Sequence, residues 1–213
     1  MIGRRLLFSA AVCAAAFLLF AGSARADIVG VNVTGTVWRV DGNMGWAPST
    51  APSGTPELTF TANAVNFFTK DSGTLNDFLN YGGTITSVTG IAGLTDPMSA
   101  PRAASPYSTV IEITGTMHFW QGITYTVWHD DGVVVLQGTT DVGLNAAFPV
   151  PPTASSWYQA TDYDGAFTMF YMGTNGNPEE LTFSSDVPEP ASILFLGTCL
   201  VGVAALRRRR LTP

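Results

Sequence analysis

The 213-residue chain has little cysteine and little histidine. Its two cysteines, Cys13 and Cys199, lie in apolar runs close to the two ends. The stretch between these runs therefore has no disulfide, no thiol nucleophile and no cysteine-based zinc site. His118 and His129 are the only histidines, too few for a histidine-rich metal site. A cysteine-free domain must be held together by burial, and about 160 residues can bury roughly 70% of their unfolded surface.

Basic residues are also scarce away from the ends. Between residues 27 and 186, only Arg39, Lys70 and Arg102 stand against fifteen acidic residues, a net charge of −12 compared with −6 for the whole chain. This charge argues against nucleic acid as a partner, because phosphates would be repelled. Carboxylate oxygens are the ligands that calcium prefers, so a divalent cation is one interpretation. The other is that the surplus of acid keeps the domain soluble.

The N-terminal 26 residues have the pattern of a secretory signal peptide. Arg4 and Arg5 form a positive region, Leu6–Phe20 is uncharged and apolar, and Ala24 and Ala26 are the small residues that a signal peptidase reads. The serine and lysine that surround a twin-arginine motif are absent. We therefore expect export by the Sec machinery and cleavage at the start of a domain spanning residues 27–186.

The C-terminal segment, residues 187–213, has three parts. It begins with the residues Val187, Pro188, Glu189 and Pro190, continues with the uncharged run 191–206, and reaches the basic cluster Arg207, Arg208, Arg209 and Arg210. The apolar run would span roughly 24 Å as a helix, short of the roughly 30 Å of a bilayer core. Arginines at its end would hold the C-terminus in the cytoplasm. A short transmembrane helix is therefore predicted over 191–206 rather than a buried core helix.

A Pro-Glu-Pro motif, an apolar run and a basic cluster in this order resemble the PEP-CTERM sorting signal of exported bacterial proteins. The resemblance implies an intermediate tethered to the inner membrane, in a Gram-negative bacterium, through its C-terminal helix. It also implies processing at or near Pro188–Pro190 by an exosortase-type enzyme. The product would then reach the cell surface or be secreted. This resemblance indicates a delivery route, not an activity.

The region between the two ends alternates between apolar and polar residues with the period of a β-strand. In 109–119, one face carries Ile111, Ile113, Met117 and Phe119, and the other carries Glu112, Thr114, Thr116 and His118. The same period recurs in 28–40, 123–129, 167–171 and 181–183. Half-buried strands separated by glycine, proline, asparagine and aspartate indicate a single all-β domain, an antiparallel β-sandwich or barrel.

One short helix is predicted within this β-rich region. Thr74 is a candidate N-cap with Asp77 three residues later, and Leu75, Phe78 and Leu79 form an apolar stripe. Two glycines at 82 and 83 would end the helix.

A second resemblance is carried by residues 122–133, which end in Trp-His-Asp-Asp-Gly-Val and lead into an apolar run up to Leu136. This segment resembles the central hairpin of PA14-like β-sandwich domains. Residues 165–171, followed by 173–177 and 180–183, resemble the closing hairpin of the same fold. The similarity covers 107–184 and implies a PA14-like or jelly-roll sandwich.

In some PA14-like domains, adjacent aspartates in this loop hold calcium, which in turn holds sugar hydroxyls. By position, the resemblance implies that Asp130 and Asp131 would be these calcium ligands. The alternative is that they only form a turn, since Asp-Gly is a strong hairpin signal in which glycine supplies the positive φ.

Catalytic chemistry has little support in the sequence. Neighbouring acids, such as Asp130 with Asp131 and Glu179 with Glu180, would point to opposite faces of a regular strand rather than face each other across a cleft. Glu112 has no evident partner, and the Gly-x-Ser-x-Gly elbow of a serine hydrolase is absent. The sequence therefore predicts a protein that is not an enzyme.

The remaining candidates are histidines and large aromatic residues. We expect His118 and His129 to be exposed or hydrogen-bonded strand residues. Trp120, Trp128, Trp157 and Tyr158 are either a sugar-stacking platform or, as we expect, part of the sandwich core.

Taken together, these features predict an exported protein of the cell surface or extracellular matrix. It would be a calcium-assisted carbohydrate-binding module with extracellular polysaccharide as its partner. The alternatives are a structural matrix or biofilm protein without a small ligand and a secreted carbohydrate-active enzyme.

Overall fold

The structure is a computed structural model that describes residues 26–27, 29–42, 44–70, 73–90, 94–100, 106–144, 147, 151–174, 176 and 178–186. Residues 1–25 of the predicted signal peptide (1–26), the sorting motif, the apolar run 191–206 and the basic cluster lie outside the described residues. Within the described part of the chain, no helix has the length and apolar character needed to cross a membrane. One of the two units into which the chain divides spans Asp27–Ser185.

The described residues form twelve strands and one helix. In chain order, these are β1 (Ala26–Asp27), β2 (Val29–Asp41), β3 (Leu58–Ala64), β4 (Asn66–Thr69), α1 (Leu75–Asn80), β5 (Ile85–Thr89), β6 (Tyr107–Phe119), β7 (Thr124–His129), β8 (Val133–Gln137), β9 (Thr140–Asp141), β10 (Thr153–Tyr158), β11 (Tyr163–Gly173) and β12 (Glu179–Ser185).

The strands form two antiparallel sheets. The larger sheet has the order β5-β3-β2-β6-β11-β8-β9. In the smaller sheet, four strands follow the order β10-β7-β12-β4. The fold is therefore the single antiparallel β-sandwich with one short helix that the alternating pattern predicted.

The core lies between the two sheets and is rich in aromatic residues. Phe119 of the larger sheet packs against Phe183 and Trp157 of the smaller one, with ring centroids 6.4 and 6.1 Å apart. Ile111 and Ile113 are also fully buried, as expected from the alternation along β6. A second, smaller cluster covers the outer face of the larger sheet, where Ala47 packs with residues of β6, β8 and β11.

The helix α1 has the predicted boundaries. The Thr74 hydroxyl accepts a hydrogen bond from the Asp77 amide, and the Asp77 carboxylate accepts one from the Thr74 amide, which completes a capping box. Leu75, Phe78 and Leu79 are buried in the core. Gly83, just beyond the helix, has a φ of 61°.

Both predicted hairpins are wrong, although their strands are present. β7 pairs with β10 and β12 in the smaller sheet, whereas β8 pairs with β11 and β9 in the larger sheet. β11 and β12 likewise belong to different sheets. Alternation shows which face of a strand is buried but does not identify its hydrogen-bonded partner. Residues 130–132 are consequently a crossover between the sheets and not a hairpin turn.

Candidate functional site

The crossover from β7 to β8 brings two acidic residues into the interior. Asp130 is 4% exposed and Asp131 is 0% exposed. Asp130 is fixed through its backbone, because its N–H donates to the Glu180 carbonyl of β12 at 3.0 Å. The two carboxylates that the sequence singled out are therefore buried side by side, at the end of β7 and near the start of β12.

Asp131 has an unusual backbone conformation. Its φ of 71° is the only positive value among the described residues other than glycine, and Asp is one of the few residue types that tolerates it. Gly132, the glycine that was expected to supply the positive φ of a turn, does not have a positive φ. One carboxylate oxygen of Asp131, Oδ2, accepts a hydrogen bond from the Thr174 amide at 2.6 Å. The side chain thus ties the crossover to the loop that follows β11.

His129 holds the carbonyl of Asp131. Its Nδ1 lies 2.5 Å from the Asp131 carbonyl oxygen, and its Nε2 lies 2.7 Å from Ser155 Oγ on β10. Because a carbonyl oxygen only accepts, Nδ1 carries the proton and the neutral ring accepts from the Ser155 hydroxyl. Burial lowers the pKa of His129, which favours this neutral form. The residue is a hydrogen-bonded strand residue, as predicted, and it positions the Asp131 backbone.

The surroundings of Asp130 favour a proton or a cation on its carboxyl group. Burial raises the pKa of Asp130 to about 7, and the neighbouring charges of Asp131 and Glu180 act in the same direction. The Asp131 amide partly offsets this effect by hydrogen bonding. At neutral pH a bound cation would compensate for the cost of ionising this carboxylate.

Glu179, which sequence reasoning considered only as a catalytic acid, is a third carboxyl group in this region. It is 0% exposed, and its Oε2 accepts a hydrogen bond from the Tyr171 hydroxyl at 2.5 Å. Burial raises the pKa of Glu179 well above its ordinary value, and the charge of Asp131 adds to the effect. One sequence signal could have indicated that Glu179 is buried. In the two-residue alternation of β12, Glu179 lies on the same face as the apolar residues Leu181 and Phe183.

The loop after β11 connects these groups. The Gly176 amide donates to Ser99 Oγ at 2.9 Å, and Ser99 Oγ lies 3.5 Å from Glu179 Oε1. Position 173, at the end of β11, requires glycine because a Cβ there would lie 2.8–2.9 Å from the Glu179 carboxyl group. The loop therefore lies directly beside both Asp131 and Glu179.

The aspartate pair meets only part of the requirements of a calcium site. Asp130 and Asp131 supply the oxygen ligands that calcium prefers. In the parts of the chain that are described, however, no group of three or more acidic, histidine or cysteine side chains is arranged to hold a metal ion. Calcium takes six to eight oxygen ligands. Backbone carbonyls, water or sugar hydroxyls would have to supply the others.

The aromatic candidates divide between the core and the surface. Trp157 is 8% exposed and stacks on Tyr125 and Phe183, as expected for a core residue. The core prediction is wrong for Trp120 and Tyr158, which are 57% and 65% exposed. Trp120 follows the end of β6 in a turn, and Tyr158 alternates with Trp157 onto the outer face of β10.

Three further candidates are half-buried. Trp128 is half-buried, and so is His118, whose ring contacts Trp120. Glu112 is also half-buried, and burial raises its pKa. The structure therefore brings His129 and Glu179 beside Asp130 and Asp131, and it places His118 and Trp120 elsewhere.

Comparison with protein families finds the PEP-CTERM protein-sorting motif at residues 186–210. This agrees with the sorting signal inferred from the C-terminal sequence. The motif indicates export and recognition by an exosortase. No curated protein matches the chain.

Comparison with solved structures finds PA14 domains. The PA14 sugar-binding domain from an RTX adhesin is 13% identical with a TM-score of 0.50, over 73% of this chain and 89% of that one. The PA14 domain of the MpAFP antifreeze protein is 16% identical with a TM-score of 0.46, over 72% and 79% of the two chains. The GH31 α-xylosidase from Xanthomonas citri is 10% identical with a TM-score of 0.48 over 79% of this chain, which spans only 16% of that enzyme.

The fold of the main domain and the motif at the C-terminal end now agree with both resemblances seen in the sequence. The protein is thus an exported chain that carries a PEP-CTERM sorting motif, and its β-sandwich is similar in fold to PA14 domains.

Proposed function

We propose that this protein is a carbohydrate-binding protein of the cell surface or extracellular matrix. In this proposal, Asp130 and Asp131 hold a calcium ion at the crossover between the sheets. Oxygens of the adjacent loop and hydroxyls of a polysaccharide would complete the coordination shell of the ion. The protein would bind its glycan and would not cleave it.

The observation that carries this proposal is the burial of two adjacent carboxylates. Ionised carboxylates are rarely buried unless they are paired or bind a cation. Burial, and then the charges of the flanking acids Asp131 and Glu180, raise the pKa of Asp130 and favour a cation nearby. The positive φ of Asp131 also fits, since unusual backbone conformations concentrate at ligand sites. The similarity to a domain described as sugar-binding gives further support.

A thermal-unfolding experiment tests the calcium site. The melting temperature of the protein is compared in calcium and in a chelator, for the wild type and for Asp130→Asn and Asp131→Asn. An ion at 100 times its Kd would stabilise the wild type by about 2.7 kcal/mol. In both variants, calcium should raise the melting temperature much less than in the wild type. The amide side chain of the second variant keeps an oxygen that can accept from the Thr174 amide, so this variant should still fold.

Asp41→Asn is the matched control, because Asp41 is an exposed acid at the end of β2. It removes the same charge and should keep the full calcium response. Equal melting temperatures of the wild type in calcium and in chelator would refute the calcium site. Binding to a glycan array, with and without calcium, then tests whether the ion takes part in carbohydrate recognition.

A structural matrix protein without a ligand is the second candidate. The hydrogen bond from the Thr174 amide to Asp131 favours it, because this carboxylate already ties a loop to the crossover. In this case, calcium would leave the melting temperature unchanged and no glycan would bind. Turnover of a polysaccharide would instead indicate an enzyme.

We also propose that the domain spans residues 27–186, between a signal peptide cleaved after Ala26 and a C-terminal segment processed near Pro188–Pro190. The intact mass of the protein recovered from cells, together with its location, tests both cleavage sites. A variant with Glu189→Ala should remain unprocessed. A full-length product in the cytosol would contradict the proposal.

A further inference from the structure

The end of the sandwich away from Asp130 has an exposed aromatic surface with two acids beside it. It consists of Trp120, Tyr158, His118, Asp162 and Asp164, and we refer to it as the aromatic–acidic surface. It adjoins the turn between β6 and β7, whereas Asp130 follows the other end of β7. Six strand residues separate the two sites, a distance of roughly 20 Å.

Trp120 is an exposed ring that contacts His118 at an angle of 47° between the two ring planes. Its ring centroid lies 3.9 Å from that of His118. Its backbone N–H donates to the Tyr125 hydroxyl at 2.8 Å, so the turn is anchored to the core. The residue is 57% exposed, so its indole ring is accessible to a ligand.

Tyr158 borders the same turn from β10. Gly122 donates its N–H to the Gln159 carbonyl at 2.8 Å, and Gln159 donates to the Ile123 carbonyl at 2.9 Å. The Tyr158 hydroxyl lies 3.9 Å from the position of a Cβ at Gly122. Because the backbone is held in place on both sides, little ordering would be needed on binding.

Asp162 lies on the segment that joins β10 to β11, and Asp164 is the second residue of β11. Asp162 Oδ1 accepts a hydrogen bond from the Gln121 amide at 2.7 Å and lies 3.6 Å from His118 Nε2. Asp164 pairs with His118 in the register of β11 and β6, with its Oδ1 3.9 Å from Nδ1. Their side chains are 58% and 81% exposed.

The charge at this end is negative whatever the state of the histidine. One imidazole faces two carboxylates, so at least one negative charge is left. Arg39 and Lys70 are the only arginine and lysine among the described residues. Arg39 pairs with Thr109, which lies ten residues before Phe119 on β6. Lys70 follows Thr69, which pairs with Glu179. Both basic residues therefore lie near the end of the sandwich opposite the aromatic–acidic surface.

We propose that the aromatic–acidic surface binds amino sugars of a polysaccharide. The apolar face of the sugar ring would stack on Trp120, and its protonated amino group would pair with Asp162 and Asp164. An ammonium group is also attracted by the indole face. This site would be separate from the proposed calcium site and would need no metal.

The test measures binding of the full-length protein to glucosamine oligomers in the presence of a chelator. N-acetylglucosamine and glucose oligomers of the same length serve as comparison ligands. We expect the glucosamine oligomer to bind best and to weaken with added salt, because the ion pairs are exposed. Trp120→Ala and Asp164→Asn should each weaken binding, the former by about tenfold.

Trp46→Ala is the matched control, since Trp46 is a 69% exposed tryptophan in the loop after β2. It should bind like the wild type. Loss of binding in Asp130→Asn would assign the sugar to the aspartate crossover and overturn this proposal while supporting the other. Equal affinity for the three oligomers would also overturn it. So would self-association of the wild type that Trp120→Ala abolishes, since the platform would then be an interface between copies.

Discussion

Glu179 shows how a single buried residue makes stability depend on pH. Its carboxyl group lies against Tyr171 and Ser99, and burial followed by the charge of Asp131 raises its pKa well above 4.5. A carboxyl with a higher pKa in the folded state makes its full contribution to stability below its unfolded pKa. That contribution is lost as the pH rises toward the folded pKa. Ionisation of Glu179 therefore opposes folding.

We predict that Glu179→Gln removes part of the pH dependence of stability. Glutamine has a similar shape and keeps an oxygen that can accept from Tyr171, but it cannot ionise. In chelator, the variant should resemble the wild type near pH 4 and exceed its unfolding free energy near pH 8. Urea unfolding at several pH values measures this difference. Parallel pH profiles for the two proteins would contradict it.

A close contact between neighbouring strands leads to a second prediction at this scale. Gly35 of β2 pairs with Phe60 of β3, and a Cβ at Gly35 would lie 2.0–2.6 Å from the phenyl ring. Because Phe60 is buried, the ring cannot move away freely. Gly35→Ala should cost about 1–3 kcal/mol of unfolding free energy.

The control for this substitution is Gly45→Ala. A Cβ at Gly45 meets nothing within 4 Å, and its φ is not positive. Its effect should stay within about 0.5 kcal/mol in the same denaturation experiment. Similar losses in the two variants would show that the contact with Phe60 is not the cause.

At the scale of elements, the short helix α1 depends on its cap. Six residues are too few for a stable isolated helix, so the capping box and the three buried side chains must hold it. Thr74→Ala should lower the unfolding free energy by about 1 kcal/mol, whereas Thr74→Ser should restore most of it. Chemical denaturation of the two variants measures this. An equal loss with serine would mean that the hydroxyl group is not the stabilising element.

The strands as elements also show where sequence reasoning was sufficient and where it failed. β6 has the predicted inward residues because alternation follows directly from the geometry of a strand. The pairing of β7 with β10 and β12 was missed, since the hydrogen-bonded partners of β7 are more than twenty residues away in sequence. Asp130 and Asp131 were found as candidates, but their burial depends on this pairing.

At the scale of the whole molecule, the domain is stabilised without covalent cross-links. Residues 27–186 contain no cysteine, so no disulfide contributes. We predict that a fragment of these residues unfolds cooperatively, with the same melting temperature in the presence and absence of a reducing agent. Calorimetry under both conditions measures this. A fragment that shows no cooperative transition would refute the proposed domain boundaries.

The sequence alone determined the sorting motif, the capped helix, the acidic character of the domain and the strands β2, β6, β7, β11 and β12. These are local patterns of charge, period and spacing. Only the tertiary structure decided that Glu179 is buried beside Asp131 and that Trp120 is exposed beside Asp162. In both cases the neighbours are more than forty residues apart along the chain. Their proximity is set by the packing of the two sheets, and no pattern within one strand encodes it.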